Sequence, residues 1–136
     1  MTDFERRVSR ERLRHTRNEA IDRINVAVGS TELNLQKCSL SHLPAELGAS
    51  SELSDTLEVL NLGGNSLDSL PDWLAHFTRL RVLFLLGCSF SQMPAVVAAL
   101  PSLYMLSFKS NRLASVPEHS LSPSIGWLIL TDNRIS

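Results

Sequence analysis

Five segments of the chain repeat one pattern, Leu-x-x-Leu-x-Leu-x-x-Asn/Cys-x-Leu, and no other feature limits the fold as tightly. Leu57-Leu60-Leu62-Asn65-Leu67 matches at every position, and Leu80-Leu83-Leu85-Cys88-Phe90 differs only by phenylalanine in the last place. Leu103-Leu106-Phe108-Asn111-Leu113 and Ile125-Leu128-Leu130-Asn133-Ile135 continue the series, and Ser30-Leu33-Leu35-Cys38-Leu40 is an earlier, partial copy. The Asn/Cys positions lie 27, 23, 23 and 22 residues apart. The first four copies each continue with an apolar residue and proline: Leu43-Pro44, Leu70-Pro71, Met93-Pro94 and Val116-Pro117. So many residues in one phase identify a repeat array.

The pattern has a physical reading. In Leu60-x-Leu62 the two leucines point to one side of a strand, because side chains alternate with a period of two. One copy cannot bury them, whereas stacked copies bury them against each other as a continuous core. The asparagine falls where the chain leaves the strand, and its amide both donates and accepts, so it suits a turn shared with the next copy. Cys38 and Cys88 fill the same slot as small, buried groups with a weak donor. The ladder is therefore Cys38, Asn65, Cys88, Asn111 and Asn133.

Two irregularities interrupt the phase. GASSELSDT, between Leu47 and Leu57, makes the first spacing four residues longer than the next, and a loop bulging from the convex side is expected there. Ser122-Pro123-Ser124 argues against a convex helix in the fourth copy.

On these residues the chain resembles the intracellular leucine-rich repeat proteins with Leu-Pro in each copy, over roughly residues 30–136. The resemblance implies an α/β fold, a curved right-handed solenoid. Short parallel strands would line its concave face, and short helices or extended turns its convex face. A narrower likeness, carried by Trp127-Leu-Ile-Leu-Thr-Asp-Asn133 after FKSNRLASVP, is to repeat arrays joined to a protein kinase domain. No Gly-rich loop with Val-Ala-x-Lys, His-Arg-Asp or Asp-Phe-Gly occurs in these residues, so any kinase domain would lie beyond Ser136.

Both ends of a solenoid need covering. NEAIDRINVAVG places Ala20, Ile21, Ile24, Ala27 and Val28 on one helical face, with Glu19 and Arg23 as a favourable pair and Gly29 as C-cap. Residues 17–29 are read as an N-terminal capping helix, a stretch that also resembles the opening helix of many such arrays. Residues 1–16 are read as a charged extension, a frayed helix, and 30–136 as the array of about four and a half copies. The sequence stops just inside a fifth copy with the C-terminal cap missing, and a fragment of a longer protein is the expectation; a ligand-binding end is the alternative.

The array predicts which side chains face the concave side. The first column is Glu32, Val59, Val82, Met105, Trp127; the second Asn34, Asn61, Phe84, Ser107, Ile129; the third Gln36, Gly63, Leu86, Lys109, Thr131. The columns run from polar to apolar. Strands about 4.8 Å apart place copies three to five within about 10 Å, so their large side chains would form one patch of the kind that marks interaction sites. Val59 and Val82 carry little weight, being partly covered by neighbours. The expected partner-binding residues are Phe84, Leu86, Met105, Lys109, Trp127 and Ile129.

Function follows from this face rather than from chemistry. The expectation is a module binding a protein or peptide on its concave face. The alternative is the recognition part of a larger signalling enzyme, such as a protein kinase, with a further domain of the same chain as partner. No catalytic constellation, metal spacing or phosphate loop occurs, so neither an enzyme nor a cofactor is expected here. His15, His42, His76 and His119 pair with no repeated acid. The net charge of −1 selects neither nucleic acid nor membrane. ERRVSRERLRHTR holds six arginines but is interrupted by Glu5 and Glu11 and lacks an aromatic platform. Without an apolar leader, a cytoplasmic chain is expected.

Overall fold

The computed structural model describes residues 2–135, and of residues 9–18 only the main chain. Each Leu-x-Leu forms the centre of a three-residue strand: β1 (Glu32–Asn34), β2 (Val59–Asn61), β3 (Val82–Phe84), β4 (Met105–Ser107) and β5 (Trp127–Ile129). They pair in chain order as one parallel sheet. The register keeps repeat equivalents side by side: Leu33, Leu60, Leu83, Leu106 and Leu128 form one row. The chain is thus an α/β leucine-rich repeat solenoid.

Inward-facing side chains of successive copies build the core. Leu60, Leu62, Leu83, Leu85, Leu106 and Phe108 are fully buried, and Phe90 meets Phe108 edge to face with ring centroids 5.3 Å apart. Leu128 and Leu130, on the outermost strand, are only half-buried.

The convex side follows from how many residues each copy has to cross it. From the proline to the first leucine or isoleucine of the next copy are 13, 9, 9 and 8 residues. Register at the strands fixes the distance to be covered, so fewer residues must rise more steeply. The longest crossing winds into α-turns, α2 (Ala45–Gly48) and α3 (Ser51–Thr56), at about 1.5 Å per residue. The nine-residue crossings form 3₁₀-helices, Asp72–His76 and Ala95–Ala99, at about 2.0 Å per residue. The last crossing holds only turns around Pro123. Pro44, Pro71 and Pro94 each occupy the N-cap of the helix that follows.

GASSELSDT corrects the expectation of a loop. Ser50 caps α3 by accepting the Leu53 N–H at 3.2 Å, and Leu53 is fully buried. The four extra residues are the turn that brings this leucine to the core.

At the other end α1 (Asp3–Val26) is one continuous helix, so residues 3–16 of the charged extension and the cap share an element. A capping box opens it, with the Thr2 hydroxyl accepting from Glu5 N–H and Glu5 accepting from Thr2 N–H. Ala20, Ile24 and Ala27 are buried in the same core cluster as Leu33 and Leu35. Ala27, not Gly29, is the C-cap, and Val28 is exposed: the helix ends before Val28 can share its buried face. No helix among the described residues is long and apolar enough to cross a membrane.

Candidate functional site

The turn leaving each strand sets the edge of the concave face. The residue before each ladder position is left-handed in every copy: Lys37, Gly64, Gly87, Ser110 and Asp132, with φ of 53°, 68°, 65°, 60° and 58°. This reversal turns the next side chain inward. Asn65 Oδ1 accepts the N–H groups of Cys38 (3.1 Å) and Leu40 (3.0 Å), while Nδ2 donates to Leu35 O (3.0 Å) and Leu62 O (2.8 Å). Asn111 donates likewise to Leu85 O and Phe108 O, and Asn133 to Phe108 O and Leu130 O.

The two cysteines use the slot more sparingly. The Cys88 thiol donates to Leu62 O at 3.4 Å, and Cys38 to Gln36 O at 3.5 Å. Burial pushes both thiols up from their ordinary range; Arg23 opposes this at Cys38, and the Asn65 and Leu67 N–H groups oppose it at Cys88. Buried, protonated thiols are poor nucleophiles.

The concave columns lie side by side as strand partners. Glu32, Val59, Val82, Met105 and Trp127 form the first, and Asn34, Asn61, Phe84, Ser107 and Ile129 the second. In the third, Lys37 N–H donates to Gly63 O, Gly64 N–H to Leu86 O, Gly87 N–H to Lys109 O and Ser110 N–H to Thr131 O. Trp127 is 55 % exposed and Leu86 40 %, at opposite corners of the patch. Phe84, Met105 and Ile129 lie half-buried between them, and Lys109 is exposed at the third-column edge.

Sequence reasoning missed a groove at the opposite end. Where α1 meets β1, a space of about 650 Å³ opens among Asp22, Arg23, Val26, Glu32 and Asn34. Arg23 builds it: Nη2 pairs with Glu19 at 2.6 Å, and Nη1 donates to Asn34 O (3.2 Å) and Gln36 O (3.3 Å), tying the helix to the strand end. A second space of about 380 Å³ shares Glu32 and Asn34 and continues across the sheet to Asn61 and Phe84. The sequence signal was present in Val26, which falls off the docked helical face and is 84 % exposed.

His42, His76 and His119 are exposed on the turns and convex side, and the side chain of His15 lies outside the described residues. So do those of Ser9 to Thr16 and Arg17 in the arginine-rich segment. Among the described residues no group of three His, Cys, Asp or Glu could hold a metal ion.

Comparison with known proteins agrees with this architecture. A family model described as Leucine Rich Repeat matches residues 56–77. Malignant fibrous histiocytoma-amplified sequence 1 homolog of Xenopus tropicalis is 40 % identical over 78 residues, covering 56 % of this chain but 7 % of that protein. A chain of the Drosophila melanogaster SNF/U2A′ complex superposes with TM-score 0.60 at 20 % identity, over 76 % of this chain and 59 % of that one. The leucine-rich repeat domain of a Shigella effector does so with TM-score 0.58 at 25 % identity, over 87 % and 57 %. The chain thus spans a small part of the curated relative and under two thirds of either solved chain.

Proposed function

The chain being a leucine-rich repeat protein, we propose that it is a protein-interaction module that binds a protein or peptide segment on its concave face. The observation that carries this is the exposure of Trp127, 55 %, at the head of a column whose Val82 and Met105 are half-buried. A large aromatic ring left in water beside other apolar side chains is an unusual surface feature and a common binding anchor. Phe84, Leu86, Met105, Ile129 and Lys109 complete the face. The solved chain from the SNF/U2A′ complex, described as part of a complex, has the same fold.

The test is selection of a displayed random-peptide library on the folded protein. The affinity of the selected peptide is then measured against wild type, Trp127→Ser and the convex control His76→Ser. Loss of about tenfold or more in Trp127→Ser alone, about 1.4 kcal/mol, supports the proposal. Equal binding to Trp127→Ser, or no selected peptide, sinks it.

A second reading is that the array is the recognition part of a larger signalling enzyme such as a protein kinase. One observation favours it: the curated relative is far longer than the stretch it shares. Sequencing the transcript past the codon for Ser136 decides it, since an in-frame stop there excludes the reading.

A further inference from the structure

The apolar patch accounts for only part of the concave face. At the α1 end the same face carries carboxylates, and two adjoining spaces share Ser30, Glu32, Leu33 and Asn34 as walls of a channel. Its floor is the buried Leu33 and its outer lip the exposed Val26. Four charged groups line it. Glu19 and Arg23 neutralise each other, and the rest of the Arg23 fork is taken by two carbonyls. Asp22 and Glu32 are exposed and, among the described residues, pair with no cation. Among the described residues the channel therefore carries two negative charges with no paired cation, and it ends against Phe84, where the apolar patch begins.

Taking the concave-face reading above as its basis, we propose that the partner is a peptide segment of another protein with a lysine or arginine at one end and large apolar side chains at the other. The basic side chain lies in the channel between Asp22 and Glu32, its methylene stem along Val26. The apolar side chains lie on Phe84, Met105 and Trp127. Phe84 is two strands from Glu32 and Trp127 four, about 10 and 19 Å at about 4.8 Å per strand. At about 3.3 Å per extended residue, the basic and apolar positions are about three to six residues apart. The opposed chemistry of the two ends also fixes the direction in which the segment lies.

The selected library peptide tests this. The peptide is expected to carry Lys or Arg at that separation from its apolar residues. The double variant Asp22→Lys, Glu32→Lys is expected to lose about tenfold or more, and less as NaCl is raised. A peptide with its basic residue changed to glutamate should bind the double variant better than it binds wild type. Asp22→Asn with Glu32→Gln, which introduces no new charge, should show a smaller loss in the same direction. A peptide that needs Trp127 but binds both double variants as wild type overturns this inference and leaves the interaction module standing. Failure to select any peptide overturns both.

Discussion

The side-chain amide of Asn111 donates to the carbonyl of Leu85, in the preceding copy, at 2.7 Å. The same amide donates to Phe108 O at 3.0 Å, and its oxygen accepts the Phe90 N–H at 3.0 Å. One buried side chain thus joins two strands and the turn between them. Replacing Asn111 by alanine removes this partner from Leu85 O and the Phe90 N–H, while Phe108 O keeps Asn133, at about 1–3 kcal/mol for each group left unsatisfied. The expected total is about 3 kcal/mol or more, read from urea unfolding. Asn111→Cys should cost less, because Cys88 shows that a thiol fits the slot. Equal losses in the two variants contradict this account.

Gly87 stands at a left-handed position with open space where a Cβ would be. Its replacement by alanine therefore tests conformation alone. Gly87→Ala should destabilise by about 1–2 kcal/mol through the αL penalty. Gly48→Ala should act by a different route: its Cβ would lie 2.7 Å from the Trp73 ring, so the tryptophan must move and its emission should change. A neutral Gly87→Ala contradicts the turn description.

Burial raises the folded-state pKa of Cys38 and Cys88, so folding favours the protonated thiols. The stability they contribute is complete below the unfolded thiol value, about pH 8.5, and is lost as pH rises through the raised folded value. Wild type should lose more stability between pH 7 and pH 10 than the Cys38→Ser, Cys88→Ser double variant. Equal losses would show that neither thiol resists ionisation in the fold.

Phe84 and Trp127 should separate in stability although both face the concave side. Half-buried Phe84 packs beside the Asn61 and Ser107 positions, and its replacement by serine should cost about 1–3 kcal/mol. Exposed Trp127 should cost about 1 kcal/mol or less on the same change. Thermal unfolding compares them, and a larger loss at Trp127 contradicts the placement.

The strands were legible because the Leu-x-Leu spacing fixes both the period and the face, and the strand register reproduces the first two concave columns residue for residue. The convex side was less so. GASSELSDT reads as polar, yet Leu53 and the Ser50 cap are enough to fold it as a helix, since a single apolar residue per turn has no periodicity to detect. The end of α1 was placed too late for a related reason: Val28 continues the apolar pattern, but the chain has already turned at Ala27. The acidic groove was hidden because its walls come from α1 and β1, whose closeness is set by Arg23 reaching two main-chain carbonyls. Side chain to main chain bonds of that kind leave no mark in a sequence pattern.

Trp127 reports directly on the proposed binding face once Trp73 is replaced by phenylalanine, because the chain then holds one tryptophan. In Trp73→Phe the emission of Trp127 should be that of an indole in water and readily quenched by acrylamide. Saturation with the selected peptide should shift the emission to the blue and cut the quenching severalfold. A peptide that binds while leaving both emission and quenching unchanged would contradict recognition at this face.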